Sequence, residues 1–450
     1  MQRVALLNIV ALGRNLVGEH TPALTAFARR SGGVHSIRSS FPAVTTTVQT
    51  SMLTGAPVSE HGIVGNGWYD RVEGEVKFWK QSQKLVEAEP LWREARRRNR
   101  EFTCANICCW YAMNSDVDVF VTPRPIYRAN GRKLPDCLTR PAELRDELQS
   151  RHGTFPLFRF WGPGSNIEST RWITNAAIDV STAHQPTLQM VYLPHLDYCL
   201  QKLGPNHPEI PTHLAELDRE VGRLIEHFES QDVRVLIVSE YSIEAVDQPV
   251  ALNRVLREAG LLGIRTECAT DMLVPSECAA LAIADHQIAH IYVADPDRRE
   301  EVRRLLTGVS GVSEVAEAAE LGLDHPRSGD LIAVAEHGSW FVHDWWLDED
   351  RAPDYARMVD IHRKPGYDPR ELFLSSRLRL AWKLLLMKLG VRTTLDVIPL
   401  DAGLVRGSHG RTDPEPGQEP VLIGLDQSTP EGETIPCEAV RSILMGAMFG

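Results

Sequence analysis

The chain has 450 residues, 43% of them hydrophobic, which is enough apolar material for one large α/β domain or two smaller ones. Its formal net charge of −12 argues against a general nucleic-acid binder, which presents a basic face. No apolar run reaches the roughly 20 residues of a membrane-spanning helix, and the eight scattered cysteines contain no CxxC pair, so no zinc knuckle is expected and buried free thiols in a reducing compartment are.

In chain order, "MQRVALLNIVALG" places Arg3 before an apolar run and imitates a secretion signal. Asn8 interrupts the run, no small-residue cleavage site closes it, and a turn and helix start follow at "GEHTPAL". The segment therefore reads as a buried first strand, and the protein is expected to be cytoplasmic. "TPALTAFARRSG" reads as a helix. Next comes "SSFPAVTTTVQTSMLTGAPVSEHGIVGNGWYD", crowded with Thr45, Thr46, Thr47, Thr50 and Thr54. The pattern predicts a strand leading into a helix whose hydroxyls cap backbone donors. A threonine at a helix N-terminus meets free N–H groups and the positive end of the helix dipole, where a phosphate docks and an alkoxide forms more easily.

"EPLWREARRRNREFTCANICCW" reads as helix into strand, with Arg93 to Arg100 on a solvated face. "TLQMVYLPHLDY" reads as a strand that points His195 and Asp197 to one side. "THLAELDREVGRLIEHFESQ" is a long helix and "VRVLIVSEYS" another strand. This alternation predicts an α/β fold with a mostly parallel sheet sandwiched by helices. Ligands of such sheets gather beyond the carboxyl ends of the strands, which singles out Asn8, Thr45 to Thr47, Asp197 and Glu240.

From about residue 251 to 395 the pattern changes to an inserted α+β subdomain, between a first core part (1–250) and a C-terminal core part (396–450). Within it, "AIADHQIAHIYVADPDRREEVRRLLTGVSGVSEV" reads as strand, helix and strand, and "SGDLIAVAEHGSWFVHDWW" adds two strands. "LRLAWKLLLMKLGVR" (Leu378 to Arg392) is a basic amphipathic segment, expected to pack on the core, with a membrane surface as the alternative. There is no Walker loop, GxGxxG or GxSxG, so neither a P-loop, a dinucleotide fold nor a serine esterase is indicated.

The stretch "PAVTTTVQTSMLTGAPVSEHGIVGNGWYD" resembles the active-site segment of the type I phosphodiesterase/nucleotide pyrophosphatase and phosphonoacetate hydrolase branch of the alkaline phosphatase superfamily. In that branch a threonine nucleophile lies nine residues before a "TG" turn; counting back from Thr54 gives Thr45. The asparagine of the "HGIVGN" motif, here Asn66, holds a phosphoryl oxygen in the family. "EPLWREA", "FTCANICCW", "PTLQMVYLPHLD", "VRVLIVSEYS" and "GSHG" follow in the family's order, which makes Asp197 and His409 the matches for metal ligands.

The departures concern the metal site. The resemblance implies two divalent ions held by three aspartates, three histidines and the nucleophile. Here the family's "SDHG" pair is Glu240 and Tyr241, the histidine four residues after the strand aspartate is Gln201, and the first-strand aspartate is absent, with Val10 or Ala11 in its place and Asn8 the nearest polar group. Fewer imidazoles shift a site from Zn²⁺ toward Mn²⁺ or Mg²⁺. Other residues are candidates to step in: His195, His286 beside Asp285, and His362 beside Asp360.

The resemblance thus implies a metal-dependent hydrolase of phosphodiester or nucleotide pyrophosphate bonds, acting through a phospho-threonine at Thr45, on a small phosphorylated substrate. Three alternatives stay open: a phosphonate or phosphomonoester hydrolase on the same scaffold, a one-ion site turned toward phosphoryl or sugar-phosphate transfer, and a non-catalytic binder of a phosphorylated ligand. Trp68, Tyr69 and Trp110 are equally candidates for stacking a base and for the core.

Overall fold

The computed structural model describes residues 1–129, 132–425 and 432–450. Its centre is β1 (Arg3–Ile9), whose residues from Val4 onward are all buried, as befits a strand covered on both faces. Around it lie β2 (Val34–Arg38), β3 (Cys104–Ile107), β4 (Val119–Pro123), β5 (Cys137–Arg140), β6 (Leu188–Leu193) and β7 (Val233–Val238). The neighbours β7, β1, β6, β3 and β4 run parallel, with Asn8 in register with Tyr192 and Val238. Helices α1 (Pro22–Arg30), α2 (Thr45–Thr54), α3 (Ile167–His184), α4 (His195–Leu203) and α5 (Ile210–Ser230) belong to this layer.

A second sheet, of four antiparallel strands, follows: β8 (Ala280–Asp285), β9 (Ile288–Val293), β10 (Val312–Glu317) and β11 (Leu331–Ala335), in the order β8-β9-β11-β10. It has its own apolar core, built on residues such as Leu252, Val302, Ile291 and Phe341. The stretch 280–293 is a hairpin and not the single strand expected: the chain reverses at His286, held at φ +63°. That turn carries Asp285 and His286 toward the first sheet. Two more strands, β12 (Val421–Ile423) and β13 (Thr434–Pro436), complete the first sheet in the order β13-β2-β12-β7-β1-β6-β3-β4-β5, with α7 (Ala439–Phe449) after α6 (Arg377–Lys388).

Two expectations are corrected. The strand expected through His195 and Asp197 stops at Leu193, because Pro194 brings no ladder donor, and both residues lie on α4. Two residues apart on a helix they face opposite ways, unlike on a strand. The second correction concerns α6, which does not bury its apolar residues: none of its twelve residues is buried, and Leu378 and Trp382 are 84% and 58% exposed. Lys383 and the exposed Arg379 both pair instead with Asp396, in the segment that follows the helix.

The segment 364–371 is pinned by a buried ionic network. Arg370, fully buried, donates to both oxygens of Asp344 at 2.7 and 2.8 Å and to Asp368 at 2.7 Å. Lys364 bridges Asp368 (2.8 Å) and Glu371 (2.7 Å). Burial raises the Asp368 carboxyl, but Arg370 and Lys364 beside it hold it well below the usual carboxylate range. Removing one partner strands the other charges without water, so Arg370→Ala is expected to cost about 3–5 kcal/mol, read as a lowered denaturant midpoint.

Candidate active site

Thr45 is the first residue of α2, after Val44 in extended conformation, and the helix ends at Gly55 in a left-handed conformation (φ +65°) that a Cβ would strain. All ten residues of α2 are buried, so its hydroxyls need partners inside the protein. Three find them chiefly as donors and not as the caps expected: Thr50 Oγ1 donates to the Thr46 carbonyl and Thr54 Oγ1 to that of Thr50, both at 2.7 Å, and Thr46 Oγ1 donates to Gly65 O at 2.8 Å; Thr54 Oγ1 also accepts the Ala56 N–H at 3.3 Å, and Thr47 Oγ1 is buried without a partner. Thr45 is different. Its Oγ1 lies 3.0 Å from Tyr241 Oη, and Tyr241 donates its own hydrogen to Asp197 Oδ1 at 3.1 Å. Since the phenol hydrogen is committed to Asp197, the Thr45 hydroxyl is the donor in the first bond.

Asn66 is fixed from three sides. Its Oδ1 accepts the Thr46 N–H (3.1 Å), its Nδ2 donates to Asp285 Oδ1 (3.0 Å), and its backbone N–H donates to Asp285 Oδ2 (2.7 Å). The carboxylate of Asp285 thus orients the amide beside the N-terminus of α2 and leaves the second Nδ2 hydrogen free for an oxygen ligand. Asp285→Asn replaces an acceptor oxygen by a donor, so it is expected to turn the Asn66 amide away and lower turnover about tenfold while the fold persists. Parallel kinetics and circular dichroism check this.

On the other side, Glu240 Oε1 accepts from both Asn8 Nδ2 and Gln49 Nε2 at 2.5 Å, and Gln49 Oε1 accepts the Trp110 N–H. Asp197 Oδ2 accepts from Gln201, whose Oε1 in turn accepts from Tyr367, both at 2.8 Å. His409 stacks flat on Tyr241 at 3.5 Å between ring centroids, His286 lies 3.6 Å from His409, and Tyr367 stacks on His286 at 3.7 Å. The sequence-predicted Thr45, Asn66, Asp197, Glu240, His409, His286 and Asn8 therefore share one buried network at the carboxyl ends of β1, β6 and β7. His195 and His362 do not join it: His195 meets His213 of α5, and His362 pairs with the Phe78 carbonyl.

The network is acidic and lacks a basic partner. Burial pushes Glu240 up to about 8 and Asp197 and Asp285 up to about 7, with no lysine or arginine offsetting any of them. Burial holds His409 neutral, down to about 3. Its Nδ1 donates to the Ala43 carbonyl at 2.8 Å, so Nε2 carries a lone pair; that atom has no hydrogen-bond partner and faces Asp197 Oδ1 at 3.8 Å. Glu240 Oε2 and Asn8 Oδ1 are likewise buried acceptors without a donor.

Of these, His409 Nε2 with Asp197 Oδ1 facing it fits at most one divalent cation, and Asp197, both of whose oxygens accept hydrogen bonds, would give up its bond from Tyr241 to hold it. The orphaned acceptors do not fit the two-ion set implied by the resemblance. Tyr241 stands where a second imidazole would, and burial raises its phenol well above its ordinary value, so it is a hydrogen-bond donor and not a ligand. Among the described residues, ligating His, Cys and carboxylate atoms converge in a group of three only at His195, Cys199 and His213.

The sequence reading missed Tyr241 as a participant, and with it Gln49, Asp285's clamp on Asn66, and Tyr367. Gln49 had a local signal, since it lies four residues after Thr45 and hence on the same helix face. Tyr367 had none, because the irregular segment 364–371, far along the chain, brings it in. Of the aromatic candidates, Trp68 is buried under Arg327, whereas half-buried Trp110 packs with Trp79, and Trp79 with Tyr367, along one wall of the site.

A parallel sheet whose strand ends hold a helix-starting threonine, a clamped asparagine and a set of buried carboxylates and imidazoles defines the alkaline-phosphatase-like α/β scaffold. More narrowly, the chain belongs to the type I phosphodiesterase/nucleotide pyrophosphatase family, whose model matches residues 4–368. The fold is similar to that of murine ectonucleotide pyrophosphatase/phosphodiesterase 5, solved as an inactive variant with AMP (TM-score 0.61, 14% identity, 100% of this chain and 95% of that one). It is equally similar to phosphonoacetate hydrolase from Sinorhizobium meliloti with phosphonoformate (TM-score 0.63, 14% identity, 99% and 96%). Among curated proteins, an uncharacterized pyrophosphatase/phosphodiesterase of Schizosaccharomyces pombe is 24% identical over 246 residues, 52% of this chain and 42% of that protein. The chain thus spans less than half the length of that curated relative.

Proposed function

We propose that the protein hydrolyses phosphoester bonds, of the phosphodiester or nucleotide pyrophosphate kind, with Thr45 as nucleophile. The observation that carries this reading is the bonded series Thr45 Oγ1, Tyr241 Oη, Asp197 Oδ1, which leads from a hydroxyl at a helix N-terminus to a buried carboxylate. Thr45 attacks phosphorus in line, and the proton it loses passes to Tyr241 as the phenol hydrogen moves to Asp197. The α2 N-terminus and the free Nδ2 hydrogen of Asn66 receive the equatorial oxygens. The resulting phospho-threonine is then cleaved by water. A divalent cation, if held by Asp197 and His409, would supply positive charge at the phosphoryl oxygens in place of the proton path from Tyr241 to Asp197. Trp79, Trp110 and Tyr367 form the wall beside the site and suit a planar leaving group such as a nucleobase. All eight cysteines are free thiols, which agrees with a reducing, cytoplasmic setting.

One observation favours a second reading, a binder of phosphorylated ligands without turnover: both oxygens of Asp197 already accept hydrogen bonds, and Thr45 is only 4% exposed. Hydrolysis of bis(p-nitrophenyl) phosphate by metal-stripped protein, refilled with Zn²⁺, Mn²⁺ or Mg²⁺, decides between them. Turnover restored by an ion is expected. Absence of turnover with every ion, joined to binding of AMP, would establish the binder.

A further inference from the structure

We propose that His195, Cys199 and His213, with Glu216, form a binding site for a borderline divalent cation such as Zn²⁺, apart from the Thr45 network. His195 and Cys199 lie one turn apart on α4 and share a face, while Asp197 between them points to the opposite one. His213 reaches across from α5, and Glu216 follows it three residues later. His195 Nε2 and His213 Nδ1 are 3.3 Å apart, and Glu216 Oε2 is 3.7 Å from each. The ligating atoms of His195, Cys199 and His213 all lie within 4.8 Å of one another.

A tetrahedral site with metal–nitrogen bonds of about 2.0–2.1 Å sets two nitrogens about 3.3–3.4 Å apart, which is the spacing of the two imidazoles. Helix spacing brings Cys199 to His195 and Glu216 to His213, and the meeting of the two imidazoles brings the thiol within 4.8 Å of both rings. The donor set is Cys, His, His and a carboxylate, which suits zinc better than Mg²⁺ or Ca²⁺. His195 and Cys199 are buried while His213 and Glu216 reach solvent, so an ion has a way in. Binding displaces the Cys199 thiol proton, now directed at the Leu196 carbonyl at 3.3 Å, and ties α4 to α5 behind Asp197.

The test is titration of the metal-stripped full chain with Co²⁺, followed by absorbance. One equivalent giving a thiolate-to-cobalt charge-transfer band is expected, lost in Cys199→Ser and in His213→Gln, the latter a half-exposed position that tolerates the change. The band is expected to persist in Asp197→Asn, which separates this site from the hydrolytic one: failure of the hydrolase reading leaves the band in place. No band at saturation, or a band unchanged in His213→Gln, would overturn the site.

A different observation carries a second inference. On α6 and its C-cap residue Leu389, Leu378, Trp382, Leu385 and Leu389 fall within an arc of about 60° and are 84%, 58%, 46% and 69% exposed, so the apolar stripe faces solvent. Exposed Arg377, Lys388 and Arg392 flank it. Among the described residues no helix is long and apolar enough to cross a membrane. We infer that α6 docks in the plane of an anionic lipid surface, the stripe entering the acyl boundary and the basic flanks meeting lipid phosphates; the chain's net charge of −12 makes this local basic patch the part that such a surface attracts. Flotation with phosphatidylcholine vesicles, with and without phosphatidylglycerol, is the test. Binding only to the anionic vesicles, abolished by the double variant Trp382→Glu, Leu385→Glu, is expected. No binding, binding unchanged by the double variant, or a dimer that this variant dissolves would overturn it, the last by assigning the stripe to a second copy.

Discussion

Thr45→Ala is expected to lower phosphodiester turnover by ~10³-fold or more, because it removes the atom that bonds to phosphorus and leaves only the charge stabilisation around it. The substitution deletes one hydroxyl and one methyl from a buried helix in which the hydroxyls of Thr46, Thr50 and Thr54 bond elsewhere, so folding is expected to survive. Thr45→Ser keeps the nucleophile and is expected to retain most of the activity. The decisive measurement is a single-turnover experiment with a ³²P-labelled substrate: label carried on the wild-type chain and absent from Thr45→Ala supports the covalent route. Full activity in Thr45→Ala would move the nucleophile elsewhere.

Tyr241→Phe is expected to reduce kcat by about 10²-fold, the lower end of what a positioned proton-transfer group contributes, with KM little changed. Phenylalanine keeps the ring that stacks on His409 at 3.5 Å, so packing is retained while the bridge between Thr45 and Asp197 is cut. A helper acting through the proton shows in kcat and in the pH profile; a residue that only filled space would leave both unchanged. Tyr241→Phe with wild-type kcat, measured beside an inactive Thr45→Ala, would show that the Thr45 proton leaves by another path. The pair of variants therefore separates the nucleophile from its relay.

The position that a sequence comparison marks as a loss, a tyrosine in place of a metal-binding histidine, becomes in three dimensions a bridge between the Thr45 hydroxyl and the Asp197 carboxylate. Gln201 behaves alike: where an imidazole ligand is expected, its amide donates to Asp197 and accepts from Tyr367. Neutral hydrogen-bond donors thus stand where the pattern the chain resembles has metal-binding histidines. Asp197 and His409 keep one pair of facing acceptors.

What the sequence by itself determined is local. The periodicity and turn residues set the alternation of strand and helix, and the "TG" and "HGIVGN" spacing placed Thr45 and Asn66 at a helix start and a following loop, because these depend on neighbours a few residues away. Tertiary structure alone decided the rest. Pro194 turned the Asp197 segment from strand to helix and sent His195 toward α5; a hairpin 219 residues beyond Asn66 supplied the carboxylate that clamps it; and α6 presents its apolar stripe outward although its composition suits a packed helix as well. The reason is physical: periodicity fixes which side chains share a face, whereas the surface that face meets is chosen by contacts between segments far apart in the chain.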